Sequence, residues 1–262
     1  MESSVSVGRQ SIEPTTQPGA WAAGIFRAHC SIVLLLLAMH LVFRLLDALG
    51  HSHVLGLSSL WDFAEEASVP TYFSAAALLA TAAIAAMVAN SDAGAADRRL
   101  QRGWWTAAAL LLFMAFDEGW GLHDRLSFFV RQVIATRGIF FIGWVVPYML
   151  LVVFAVGLLL PLAKALPAIT RTRLVWAALI YVSCALGIEF PQGVLLDRAS
   201  VDGVLNWQET RTVVREPLMV ALIAIEETGE MLAVALALRA LLLHLRDRPF
   251  FYRPAVERTR MP

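Results

Sequence analysis

Apolar residues run along the chain in stretches close to 20 residues long. Six stand out, roughly 29–49, 71–89, 104–123, 138–160, 174–190 and 217–245. At ~1.5 Å of rise per residue, runs of this length cross a bilayer core as α-helices. Hydrocarbon offers no partner for backbone N–H and C=O groups. Continuous runs, lacking the two-residue alternation of barrel strands, satisfy those groups within helices. The pattern predicts an all-α polytopic membrane protein with about six transmembrane helices, and Ala-rich turns such as Ala82-Ala-Ile-Ala-Ala suit close helix packing.

The polar intervals set the organisation. Residues 1–28, with Pro14, Pro18 and Ser/Thr clusters, read as a disordered tail ahead of a six-helix domain at 29–245. Residues 246–262 form a basic tail whose Phe250, Phe251 and Tyr252 suit a membrane surface. Ala48 and Gly50 make the small-x-small pair of a leader cleavage site, but the preceding segment is long for a signal peptide and carries glutamates. Of the 21 Lys and Arg residues, 14 fall on the side holding both tails, six fall on the other, and Arg44 stays inside the first run. The positive-inside rule then places both termini in the cytoplasm. Trp21, Trp104 and Trp105 read as an interfacial belt.

Composition agrees with this class. Hydrophobic residues make up 58% and charged residues 16%, against about 45–50% and about 25% in soluble domains. Acids and bases balance at 21 each, so no net field favours nucleic acid. Cys30 and Cys184 lie in apolar runs and read as packing residues.

The acids are distributed opposite to the bases, and three segments carry them where hydrocarbon should be. Glu65 and Glu66 precede Pro70-Thr71 at the second run. Asp117, Glu118, His123 and Asp124 end the third. Glu226, Glu227 and Glu230 lie inside the sixth. An ionised side chain at bilayer depth costs at least about 2.5 kcal/mol, so these residues need a reason beyond solvation. At ~100° per residue, Glu226, Glu227 and Glu230 share one arc and can face a common interior. Glu118 and His123 diverge in a regular helix, and a π-bulge near 119–121 would realign them. Counting rise per residue groups Glu66, His123 and Asp124 in an outer layer and sets Asp117 nearest Glu226 and Glu227, with Glu189 able to join either group.

So many carboxylates require protonation or counter-charge. Arg44 is the only base well inside the outer half, and Asp47 three residues on is its expected partner. A divalent metal is the remaining neutraliser. An oxygen-rich set with one imidazole favours iron or manganese, with zinc an alternative. The expected ligands are Glu66, Glu118, His123, Asp124, Glu226, Glu227 and Glu230, and the expected catalytic groups are Glu118, His123 and Asp117. Glu227-x-x-Glu230 has the spacing of the Glu-x-x-His pairs of soluble di-iron bundles, with a carboxylate in place of the histidine. Glu65 and Glu66 could instead simply favour a positive helix end. His29, His40 and His244 read as packing residues, and His51 and His53 as interfacial ones. Phosphate loops, nucleophile elbows and histidine-rich zinc motifs are absent from the sequence.

At the three acidic segments the chain resembles a group of uncharacterised bacterial multi-pass inner-membrane proteins. The shared features are a Glu-x-x-x-Pro-Thr helix start (Glu66, Pro70, Thr71), an Asp-Glu-x-x-x-x-His-acid segment (Asp117, Glu118, His123, Asp124) and a late Glu-Glu-x-x-Glu helix (Glu226, Glu227, Glu230). Asp124 stands where those proteins carry glutamate, one methylene longer. The resemblance implies a bacterial inner-membrane location and no particular activity.

Three functions fit these expectations. The first is a membrane-embedded metalloenzyme acting on a lipid, quinone or other hydrophobic substrate near the periplasmic side, by hydrolysis or iron-dependent oxidation. The second is a cation- or proton-coupled transporter. The third is a non-catalytic subunit whose acids grip a partner in a membrane complex. The length of 191–216 suits a lid over the site.

Overall fold

A computed structural model describes residues 20–51, 56–92 and 98–246. His53 and most of the two expected tails lie outside them. Among the described residues the regular elements are all helices, joined by short turns, with one isolated bridge between Val201 and Val204. The helices are α1 (Ala20–Ala48), α2 (Val69–Asp92), α3 (Arg98–Trp120), α4 (Leu122–Val133), α5 (Val145–Ala165), α6 (Ala168–Val182), α7 (Glu189–Ala199), α8 (Trp207–Val214) and α9 (Pro217–Arg246). A π-helical turn, Ser183–Gly187, joins α6 to α7. Four stretches are long and apolar enough to cross a membrane: Ala20–Ala48, Val69–Ser91, Val145–Ala165 and Ala168–Ala199. The other two long helices, α3 and α9, are the ones that carry acidic segments.

α9 forms the centre, flanked by α1, α2 and α6; α2 packs on α3, and α3 on α5. Small residues permit this closeness. Ala85, Val88 and Ala89 of α2 meet Trp104 and Ala108 of α3, with Leu162 and Leu166 from the end of α5 and Leu241 of α9. The outward faces are greasy: Leu150, Val153 and Phe154 on α5 are between 62% and 70% exposed. A soluble monomer rarely shows so continuous an apolar surface, whereas a helix facing lipid does.

Several boundaries differ from the sequence expectation for physical reasons. α1 starts at Ala20, so 20–28 are helix; Ala22 packs on Leu238 and Leu242, and the Arg239 guanidinium stacks over Phe26 at 4.9 Å. The fourth run becomes α5 only from Val145. The preceding turn, Gly138–Phe140, is drawn onto α7, where Asp197 accepts the Gly138 N–H at 3.0 Å. The fifth run extends to Ala199 and takes in the first part of the expected lid, 191–199; α8 follows, opened by an Asn206–Glu209 capping box. Trp104 is buried in the core beside the His244 ring and does not belong to an interfacial belt, while Trp21 and Trp105 are half exposed.

Candidate functional site

Two local devices bring the acidic segments together. Before α2, the Ser68 hydroxyl accepts the Thr71 N–H at 3.3 Å, and the Thr71 hydroxyl donates to the Glu65 carbonyl at 3.2 Å. With Pro70 fully buried at the helix start, this tie fixes the turn that carries Glu66. At the end of α3 the helix breaks. Gly121 takes the left-handed conformation, φ 56° and ψ 48°, and α4 leaves in a new direction. The expected π-bulge at 119–121 is therefore absent. A left-handed glycine redirects the chain there, and the π-helical turn lies instead at Ser183–Gly187. A Cβ on Gly121 would stand 2.7 Å from Glu66 Oε2, so the glycine also makes room for that carboxylate.

Asp117 spans the break. Its Oδ1 accepts the His123 backbone N–H at 2.8 Å and lies 3.3 Å from His123 Nδ1. The opposite ring nitrogen, Nε2, is 3.7 Å from Glu66 Oε1 and 3.9 Å from Asp124 Oδ1. The ring meets Trp144 edge-on at 5.0 Å, and Tyr148, beyond Trp144, lies near Asp117. One ligand-type atom from each of Glu66, His123 and Asp124 lies within 4.8 Å of the others, the one group of this kind among the described residues. Asp117 on Nδ1 with Nε2 turned to two carboxylates is the carboxylate–histidine arrangement that orients an imidazole toward a metal.

Both His123 and the turn carrying Glu66 lie beyond the ends of the long helices, and their electrostatics are pronounced. Burial pushes the Glu66 carboxyl up to about 7; His123 pulls the other way, and the Asp124 carboxyl adds to the rise. For His123, burial disfavours the charged ring, but the Asp117 hydrogen bond and the carboxylates of Asp124, Asp117 and Glu66 win and raise it to about 10. Without a cation, the imidazolium is the local counter-charge.

The remaining acids form a second group further along the bundle. Glu118 exerts the strongest carboxylate repulsion on both Glu227 and Glu230, so Glu118, not Asp117, is their close neighbour on α3. Consecutive helix residues point about 100° apart, and Asp117 is turned away to His123. Ser74 lies close to Glu118, and Tyr181 lies close to Glu230. Glu226 turns elsewhere and accepts from the Gln192 amide. Of the seven expected ligands, then, three come together, three gather around Tyr181, and Glu226 pairs with Gln192.

Glu189 has more weight than the sequence suggested. It is buried, and its carboxyl interacts electrostatically with both His123 and Asp124. The Trp144 indole lies close without meeting hydrogen-bond geometry, and Glu189 Oε2 has no partner. Tyr181, Trp144 and Gln192 were not expected at the site; the signal that points to them is polar capacity inside the fourth run (Trp144) and inside or beside the fifth (Tyr181, Gln192), with Gln192 three residues from Glu189. Arg44 also differs from expectation. It pairs with Asp62 at 2.8 Å, and Asp47 pairs with Arg215 at 3.1 Å, because the turn before α2 and the end of α8 close over α1. His29 and His40 are packing residues, bonded to the Met231 carbonyl and the Phe63 N–H respectively. Both cysteines are free.

No significant match to the chain exists among curated proteins or among solved structures. Residues 30–245, a span that holds every residue of both acidic groups, match the family described as Domain of unknown function (DUF8692), and the chain belongs to that family.

Proposed function

We propose that the protein is a membrane-embedded metalloenzyme of a bacterial inner membrane, with six spans (α1, α2, α3, α5, α6–α7 and α9) and cytoplasmic termini. The observation that carries the reading is the setting of His123, whose Nδ1 faces Asp117 while Nε2 faces Glu66 and Asp124. Three ligands on two short segments leave open positions for substrate, as catalytic sites require. Glu189, whose Oε2 is unpartnered, is a further carboxylate that interacts electrostatically with His123 and Asp124.

Glu66, His123 and Asp124 would hold a divalent ion, iron or manganese by donor chemistry, or zinc. Such an ion would supply Lewis-acid polarisation for hydrolysis or, if redox-active, a centre that activates dioxygen as the oxidant. Asp117 holds the imidazole and keeps Nε2 aimed at the ion. Glu118, beside Glu227 and Glu230, accepts and passes protons. A hydrophobic substrate such as a lipid or quinone suits a polar site at the end of helices whose outer faces are apolar.

The test is metal content. The protein is purified in mild detergent, and iron, manganese and zinc are measured by elemental mass spectrometry beside His123→Ala and Glu66→Gln. One or two equivalents in the parent, lost in both variants, is the expected result; no metal in the parent after reconstitution would sink the reading.

One observation favours a second reading, cation or proton transport. Carboxylates continue from Glu66 through Glu118 to Glu227 and Glu230, each acting electrostatically on the next. Ion flux into liposomes that Glu230→Gln abolishes, in a protein without stoichiometric metal, would select it.

A further inference from the structure

Outside the long helices, α4 and the turn after α7 carry large apolar side chains in the open. α4 has no buried residue, yet one side of it is held. The Ser127 hydroxyl accepts the Trp144 N–H at 3.1 Å, and Arg131 donates to the Phe141 carbonyl at 2.9 Å and stacks over the Phe141 ring at 4.4 Å. The other side is uncovered. Phe128 and Phe129, whose rings meet edge-on at 5.7 Å, are 64% and 60% exposed, and Val133, four residues beyond Phe129 on the same face, is 85% exposed. Past the helix Ile139 is exposed, as are Val201 and Val204 at the two ends of the turn after α7. Arg137 brings these segments together: it pairs with Asp197 at 3.4 Å, and a Cβ on Gly203 would stand 2.7 Å from its Cζ.

A surface of this kind calls for a partner. α4 has 12 residues, and isolated helices below about 12–15 residues are marginal in water. Clustered apolar side chains are also rare on a face turned to water. The patch continues at both ends into the apolar faces of the long helices, through exposed Trp120 at the end of α3 and exposed Leu150 near the start of α5. Charge then separates lipid from a second copy of the chain. Arg125 is exposed and stands three and four residues from Phe128 and Phe129, so it borders both rings. It forms no ion pair among the described residues. A second copy of this face would bring arginine or phenylalanine against it, whereas lipid phosphates accept a guanidinium directly. Aromatic rings beside arginines suit the headgroup layer, where rings bury their apolar body and guanidiniums reach up to phosphate.

We propose that α4 and the turns beside it form an anchor lying in the membrane surface, within the headgroup layer of the leaflet where α3 ends. Phe129 and Val133 face the acyl chains, Arg125 meets the phosphates, and the 201–204 turn dips beside them. The anchoring does not depend on a metal. Its consequence for the site does rest on the metalloenzyme reading: His123 and Asp124, in the first turn of α4, stand at the depth where a lipid presents its polar groups.

The experiment uses the full chain with Cys30→Ala and Cys184→Ala, reconstituted in vesicles of phosphatidylethanolamine and phosphatidylglycerol. A nitroxide is attached in turn at Phe129→Cys, Val133→Cys, Val204→Cys and, in the middle of α5, Phe154→Cys. Melting temperature in detergent shows that each variant folds, and electron paramagnetic resonance reads access to oxygen, which concentrates in lipid, and to a water-soluble nickel chelate. Labels at 129, 133 and 204 are expected to meet oxygen more than the chelate, at a depth of about 5–10 Å, shallower than the label at 154. Access to the chelate above oxygen at 129 and 133 puts the face in water and overturns the proposal. Low access to both reagents there means that protein covers the face, and this also overturns it. With a lipid reading kept at 154, either result removes the anchor alone; an aqueous reading at 154 removes the spanning helices with it.

Discussion

Gly121→Ala is a small substitution with two consequences that can be separated. The residue sits at φ 56°, where a Cβ costs roughly 1–2 kcal/mol. That Cβ would also stand 2.7 Å from Glu66 Oε2 and 2.9 Å from its Cδ. Ordinary contact begins near 3.4 Å, so the carboxylate must retreat by about 0.7 Å or more. The side-chain tip of Glu66 is half exposed and can move at little cost in stability, but its movement opens the three-residue group. The expected outcome is a loss of about 1–2 kcal/mol in unfolding free energy, with a fall in metal affinity of about tenfold or more, the scale seen when a site's support is disturbed. Gly119→Ala is the internal control. It lies within α3, its Cβ would meet only Ala75 Cβ at 3.7 Å, and replacing a helical glycine should be neutral or stabilise by up to about 1 kcal/mol. Denaturant unfolding in detergent and calorimetric titration with Mn²⁺ measure the two quantities. A Gly121→Ala protein binding Mn²⁺ like the parent, or a Gly119→Ala protein equally impaired, would refute the reasoning.

Other outcomes follow from the same geometry. Asp117→Asn keeps the shape but removes the charge beside His123 Nδ1, and titration should show metal affinity reduced about 10–100-fold. Because Glu66 is raised to about 7, the metal-free protein should lose stability as pH rises from about 4.5 through 7, where the unfolded carboxyl ionises more readily than the folded one. His123, raised to about 10, has the same sign: its contribution is complete below about 6.5 and is lost as pH climbs through 10. Cation binding needs both groups deprotonated, so Mn²⁺ titrations across pH should show affinity falling toward acid with proton release on binding; affinity independent of pH would contradict these assignments. Gly229 of α9 lies directly against Cys184 of the π-helical turn, so Gly229→Ala should destabilise by about 1–3 kcal/mol in denaturant unfolding. Adding Cys184→Ala should recover much of that loss, and a double variant no better than the single one would show that the contact is not the cause.

Much of the architecture is legible along the chain because it depends on local properties. Length and apolarity of a run decide that it becomes a long helix, and rise per residue was enough to group Glu66, His123 and Asp124 although 57 residues separate the first two. Asp117 beside His123 was a likewise local matter, since six residues join them. Partner choice between distant segments was not legible. The sequence offered Asp47 to Arg44, its neighbour on the same helix, but the turn before α2 and the end of α8 supplied closer partners, Asp62 and Arg215. Hydropathy assigned Trp104 to an interface, yet four helices converge there and bury it. The sharpest difference is at 119–121. A glycine allows both a π-bulge and a left-handed break, and the choice depends on what lies opposite, here the Glu66 carboxylate against Gly121. Periodicity reports which face a residue occupies; only the packed helices determine what that face meets, because contacts across the bundle carry no signature in local sequence.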